Sequence, residues 1–277
     1  MRAFTNNTIA LGSPVNWRHP INYGLVAWYW TIPQFMGGQL WRDMTTRYNA
    51  PRLGSVPVWS PTFNHRGGTG SMSFSSSGYC NAGDYTAGAD PFAIGANDFS
   101  VCAWVRPNDV STYQIVIGRD DDSTHRDLIL GFGASVGSIL YMTGRTTPGA
   151  ASPKESTNIM SSGAWQHIGA QRIGSALTLW HNGTNVYTGT DSETTVVNQA
   201  TSLARRNYSG FPQYYVGRMN DVRYHKGAGC PTVKAIYEQS ILGYPNALNY
   251  VDRTAMLFGG SGTTTNRRRR LLLSGRR

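Results

Sequence analysis

Hydrophobic and polar residues alternate over short stretches of this chain, and clusters of Gly, Pro and Asn interrupt them. That is the pattern of β-strands joined by turns. Leu25–Trp30 (LVAWYW) predicts a first strand, preceded by a polar arm over residues 1–22 in which Pro14 and Pro20 act as breakers. The Gly- and Pro-rich stretch 33–70, with Trp41, Asp43, Trp59 and Phe63, predicts an extended loop pinned by aromatics. A regular strand rhythm then begins at Ser71–Phe74 and runs through Tyr79–Asn81, Phe99–Arg106, Gln114–Arg119, Leu128–Phe132 and Ile139–Met142. It resumes at Trp165–Arg172, Ala176–Trp180, Val186–Thr188 and Tyr214–Tyr224.

Several positions sharpen this pattern. Within 99–106, Phe99, Val101, Ala103 and Val105 alternate with Ser100, Cys102 and Trp104, so both faces of that strand are expected to be covered. The Asn182-Gly183 pair separates two strand-like runs and accepts the positive φ values of a tight hairpin turn. Gly217 predicts a bulge in the last strand, with Val216, Met219 and Val222 turned inward. Asp120–Asp122 predicts a solvated turn. The one convincing helix is Pro231–Leu242, with Pro231 in its first turn, apolar Val233, Ile236, Tyr237 and Ile241 at helical spacing, and Gly243 at its end. The expected architecture is all-β: a two-sheet antiparallel jelly-roll sandwich over 23–244 with one short C-terminal helix. Extended arms occupy residues 1–22 and 245–277, the latter ending in an Arg-rich tail.

Composition changes this picture in one respect. The chain carries a formal charge of +10 over 277 residues, but Arg267, Arg268, Arg269, Arg270, Arg276 and Arg277 supply +6 of it, leaving +4 elsewhere. The basicity therefore belongs to a tail and does not mark the domain as a nucleic-acid binder. Arginine (22) far outnumbers lysine (3), which predicts interface use of its planar fork. The three cysteines, Cys80, Cys102 and Cys230, form no CxxC pair, so a zinc site is not expected. Cys102 reads as a small buried hydrophobe. Residues 1–8 lack the apolar segment of a secretory signal, and no run of eighteen apolar residues exists, so no membrane association is expected. No G-x-S-x-G, H-E-x-x-H or P-loop motif is present, and His167 reads as a core or sheet-face residue.

LVAWYW, SMSFSSSGYCNAG, DFSVCAWVRP, WQHIGAQRIGSALTLWHNGTNVYTG and YYVGRMNDVRYHKGAGCPTVKAIYEQ, in that order, resemble the landmarks of laminin-G/concanavalin A-like jelly-roll domains. The resemblance spans residues 25–243. It implies a structural calcium held by Asp221, with Asp43 as neighbour and backbone carbonyls completing the shell. A salt bridge from Asp221 to Arg223, or a capped turn, is the alternative. Some members of this fold are glycosidases and need two carboxylates flanking the scissile bond. The only glutamates, Glu155, Glu193 and Glu238, are not suitably placed, so no enzyme is expected.

The arm Gly12–Pro20 and the RRRRLL ending are similar to phage-associated members of the family. The resulting expectation is a non-catalytic structural or binding protein on a virion surface, a capsid decoration or fibre component assembled in the host cytoplasm. Its tail, Arg267, Arg268, Arg269, Arg270, Leu271, Leu272 and Leu273, would dock on an acidic groove of another structural subunit, or else neutralise phosphates. The alternative is a lectin-like carbohydrate-binding module, calcium-stabilised in one version, with Tyr208, Phe211, Tyr214 and Tyr215 as the aromatic platform for a surface glycan.

Overall fold

The computed structural model describes residues 15–31, 40–41, 43–45, 47–60, 70–82, 91–120, 125–133, 137–145, 153–157, 159–194, 200–206 and 213–242. In chain order the strands are β1 (Leu25–Tyr29), β2 (Leu40–Trp41), β3 (Ala50–Leu53), β4 (Val58–Ser60), β5 (Ser71–Phe74), β6 (Tyr79–Asn81), β7 (Phe99–Pro107) and β8 (Gln114–Asp120). They continue with β9 (His125–Phe132), β10 (Ile139–Arg145), β11 (Lys154–Glu155), β12 (Gln166–Ile173), β13 (Ala176–His181), β14 (Thr184–Thr190), β15 (Ser202–Leu203) and β16 (Gly217–Lys226). A 3-10 turn at Pro20–Asn22 precedes them, and one helix, α1 (Val233–Ile241), follows.

All described pairings are antiparallel. The first sheet runs β14-β13-β12-β7-β16-β5-β4, and β1 joins the β5 side of β16 further along. The second runs β11-β10-β9-β8-β15-β6-β3-β2. Strand alternation places Phe99, Val101, Ala103 and Val105 of β7 in the core between the sheets, with Ile117, Leu130, Tyr141, Ile168, Leu179, Met219 and Tyr224. The opposite face of the first sheet carries a second cluster of Val15, Ile21, Leu25, Trp28, Met44, Cys102, Val233 and Ile236. Both faces of β7 are thus covered, as its pattern implied, and residues 15–22 and α1 form the cover. Gly169 permits this close packing, because a Cβ there would lie 2.7 Å from Val233 and 2.8 Å from the Val101 carbonyl. Thr232 caps α1 by accepting from the Ala235 amide at 3.1 Å, and Trp104 Nε1 donates to Ser240 Oγ at 3.0 Å.

The predicted hairpin is present, with a two-residue turn in which Asn182 and Gly183 have φ of 47° and 77°. Four expectations need correction. The 33–70 segment contains β2, β3 and β4, short strands set among Gly and Pro residues that read as loop. The two-residue strands β11 and β15 were equally invisible. The register runs unbroken through Gly217 and shifts instead between Asn220 and Arg223, where Asp221 adopts φ +51°. Gly217 is there for close approach, since a Cβ would lie 2.4 Å from the Arg106 carbonyl oxygen. Finally, Asp120 is fully buried at the end of β8 and not in a solvated turn.

Candidate functional site

Asp43 and Asp221, the expected cation ligands, meet on Trp28. The Trp28 amide donates to Asp43 Oδ1 at 2.8 Å, and its indole Nε1 donates to Asp221 Oδ1 at 2.7 Å. Asp43 also accepts from the amides of Thr45, Arg47 and Tyr48 and from the Thr45 hydroxyl. Burial raises its pKa, and these hydrogen bonds oppose the rise. Asp221 pairs with Arg223 at 3.3 Å, and the guanidinium carbon lies 3.5 Å from the Trp28 ring centroid. Both carboxylates therefore face N–H and O–H donors, where a calcium cage requires carbonyl and carboxylate oxygens. Among the described residues no group of three or more His, Cys, Asp or Glu is gathered to hold a metal ion. The residues do not fit the implied calcium; their geometry is the salt-bridge alternative.

The same pairing recurs. Asp127 meets Arg119 at 2.8 Å, Asp191 meets Arg172 at 3.1 Å, and Asp120 meets Arg206 at 2.6 Å, with every one of these side chains largely buried. Four of the arginines thus serve the interior of the domain.

Of the four aromatics proposed for a glycan, Tyr208 and Phe211 lie outside the described residues, as do Arg267–Arg270 and Leu271–Leu273. Tyr215 is fully buried: its hydroxyl donates to the Arg218 carbonyl at 2.6 Å and accepts from the Arg106 amide at 3.0 Å. It cannot stack on a ligand. Neighbouring residues of an extended chain face opposite ways, so Tyr214 is half-exposed. Tyr214 lies 6.4 Å from Tyr79, centroid to centroid. Arg205 lies beside this pair, its guanidinium carbon 4.4 Å from the Tyr79 ring centroid and 5.9 Å from the Tyr214 ring centroid.

The backbone builds this cluster deliberately. Cys80 is a core residue, so Tyr79 and Asn81 flank it on the outer face of the second sheet. Ala204 is buried at φ +67°, an uncommon conformation for a residue with a Cβ, and it turns the chain from β15 into the Arg205–Tyr214 bridge. Gly118 makes room beneath, because a Cβ there would lie 2.4 Å from the Arg205 carbonyl oxygen. Sequence reasoning named Tyr214 as a candidate but not Tyr79 or Arg205, which the structure places beside it. The outward alternation of Tyr79 about Cys80 was the available signal for the first; nothing local marked the second.

A separate open cleft of about 680 Å³ beside β4 is lined by Ser55, Val56, Val58, Ser73, Asn108 and Val216 among others, none of them charged. It offers hydroxyls and apolar walls but no acid or base.

Residues 75–229, more than half of the chain, match the family described as the Concanavalin A-like lectin/glucanases superfamily. The chain belongs to that superfamily. No curated protein matches it in sequence. Among solved structures, domain 4 of AbnA, an extracellular arabinanase from Geobacillus stearothermophilus in complex with arabinotriose, is similar at a TM-score of 0.58 and 18% identity. That match covers 78% of this chain and 98% of the other. The receptor-binding domain of botulinum neurotoxin D is similar at a TM-score of 0.55 and 13% identity, covering 80% of this chain and 54% of that one. A Trypanosoma rangeli sialidase mutant displaying trans-sialidase activity is similar at 0.56 and 12%, covering 79% and 34%. The chain therefore spans about half of the toxin domain and a third of the sialidase. At these identities the likeness is one of fold.

For a member of the concanavalin A-like superfamily, catalysis would require two accessible carboxylates across a sugar bond. Here Glu238 is exposed on α1 opposite Lys234, and Glu155 lies on the edge strand β11. Asp43, Asp120, Asp127, Asp191 and Asp221 are buried and hydrogen-bonded. His167 is enclosed by Trp104 and Tyr237, as its strand position implied. His225 is buried, with its pKa pushed down to about 3 chiefly by desolvation, and its Nδ1 bonds the Tyr23 carbonyl at 3.0 Å. All three cysteines are free and buried.

Proposed function

We propose that this domain is a non-catalytic carbohydrate-binding module whose ligand face is the outer surface of the second sheet around Tyr79, Arg205 and Tyr214. The observation that carries the reading is the pair of half-exposed tyrosine rings held on neighbouring segments by a strained, glycine-accommodated backbone. Tyrosine presents a flat apolar face with a polar rim, which suits sugar rings. The fold's likeness to an arabinanase domain solved with arabinotriose, and to a toxin's receptor-binding domain, supports a binding role. The buried, hydrogen-bonded state of Asp43, Asp120, Asp127, Asp191 and Asp221 supports a non-catalytic reading. The test is an oligosaccharide array followed by calorimetry on the full chain. Binding is expected, and Tyr79→Ala or Tyr214→Ala is expected to weaken it by on the order of tenfold. Binding that ignores both substitutions would refute the site.

A second reading, that the domain is displayed on a virion surface, rests on the sequence of 259–277: a Gly/Ser/Thr-rich linker, then Arg267–Arg270 and Leu271–Leu273. On that reading the tail docks on a structural subunit with an acidic groove. Deletion of 259–277 is then expected to abolish incorporation into particles while leaving the sandwich folded; normal incorporation would sink it.

A further inference from the structure

Resting on the carbohydrate-binding reading, we propose that Arg205 makes the site selective for acidic saccharides, by pairing with a carboxylate carried on the sugar. Arg205 is used differently from Arg119, Arg172, Arg206 and Arg223, each of which meets a buried aspartate. Its Nε donates to the Arg206 carbonyl at 3.2 Å, and its guanidinium packs against the Tyr79 ring with Tyr214 nearby. Among the described residues no carboxylate reaches it. The adjacent acid, Asp120, is committed to Arg206 at 2.6 Å and is fully buried, so it does not neutralise Arg205.

Among the described residues the two terminal nitrogens of Arg205 meet no partner, and they form the open edge of a planar fork at a half-buried position. That edge matches the two oxygens of a carboxylate, and such bidentate, charge-assisted pairs are both stronger and more directional than neutral hydrogen bonds. Contact with Tyr79 and Tyr214 reduces the number of orientations the guanidinium samples, so less ordering is required when an anion arrives. The rings beside it would meet the sugar that bears the carboxylate. A flexible surface arginine would lack this preorganisation. The strained Ala204 and the space left by Gly118 are what hold the backbone of Arg205 over β8.

The test compares the full chain's affinity for an oligogalacturonate and for its methyl ester, which differs only in the masked carboxylates. The acid is expected to bind on the order of tenfold more tightly than the ester, with the difference shrinking as salt rises. Arg205→Gln should abolish that preference, with the loss of affinity falling mainly on the acid and only slightly on the ester. Arg205→Lys, which keeps the charge but loses the fork, should restore only part of it. Thermal melts should show both variants folded, since the side chain is half-exposed. Equal binding of acid and ester that is nonetheless lost in Tyr79→Ala would overturn the acidic selectivity and leave the binding site standing. Binding of neither compound would overturn both. Equally tight, Arg205-dependent binding of polyglutamate would overturn the saccharide assignment.

Discussion

Replacing Arg172 by Met tests how far the fold depends on its buried ion pairs. The Arg172 side chain is 2% exposed and joins three separate segments. Nη1 donates to Asp191 Oδ2 at 3.1 Å and to the Glu193 carbonyl at 2.8 Å, and Nη2 donates to the carbonyls of Asn97 (2.8 Å) and Gly95. The guanidinium also lies 5.3 Å from the Phe99 ring. Methionine retains most of the aliphatic stem, so the apolar packing largely survives. What is lost is the cation, leaving the Asp191 carboxylate with Tyr141 and Thr143 hydroxyls and the Glu193 amide as donors. Breaking one partner out of a buried pair costs about 3–5 kcal/mol, a large share of a typical total stability of about 5–15 kcal/mol. Urea unfolding should therefore show a much lower midpoint with an unchanged slope. Asp191→Asn should cost less, because Arg172 keeps three carbonyl acceptors. The double variant should cost less than the sum of the singles by about 1–3 kcal/mol, the coupling of contacting groups. A loss under about 1 kcal/mol for Arg172→Met, or strict additivity, would refute the reasoning.

Three further outcomes are expected. Burial pushes the Asp127 carboxyl up to about 6, against the opposing pull of Arg119 and the Ile94 and Gly95 amides. The folded state thus holds that proton more tightly than the unfolded chain, so this group's stabilising contribution is complete below about pH 4 and is lost as pH rises through about 6, a change of about 3 kcal/mol. Asp127→Asn should remove that slope from the stability–pH profile, and an unaltered slope would contradict the assignment. Gly183→Ala should destabilise by roughly 2 kcal/mol and Gly174→Ala by roughly 1. Both have positive φ, but only at Gly183 would the new Cβ meet a ring, Tyr237, at 2.4 Å; equal losses in chemical denaturation would show that the contact is immaterial. Thr232→Ala removes the α1 cap and should cost about 1 kcal/mol, read as a lower Tm; an unchanged Tm would mean the cap contributes nothing.

Much of the sandwich was legible because its long strands have a strong period and its hairpin a specific turn. Ser71–Phe74, Tyr79–Asn81 and the strands around Phe99, Gln166 and Ala176 fall where the alternation placed them. The two-residue strands β2, β11 and β15 carry too few positions for a period, and β3 and β4 lie in a Gly- and Pro-rich stretch whose composition reads as loop. The site was less legible for a different reason. Tyr214 and Tyr215 are equivalent as letters, and only a fixed register decides that one is half-exposed and the other buried. Arg205 and Arg206 pose the same problem: one packs against tyrosine rings and the other reaches a buried aspartate. Such distinctions are settled by long-range contacts, which local pattern does not contain.

The arginine excess acquires a physical meaning from these contacts. A sandwich with many irregular connections must anchor loop carbonyls that no strand ladder satisfies, and every buried polar group left without a partner costs stability. Arginine serves this purpose where lysine fails: it stays charged when buried and offers five donors in a fixed plane. Arg172 joins three loop carbonyls and one aspartate at once, using both terminal nitrogens of its fixed plane. Each internal cation then needs a buried anion nearby, which Asp127, Asp191, Asp120 and Asp221 provide. The consequence for recognition is direct. Among the described residues the aspartates nearest these arginines are committed inside, so the guanidinium beside Tyr79 and Tyr214 keeps its charge available to an anion from outside.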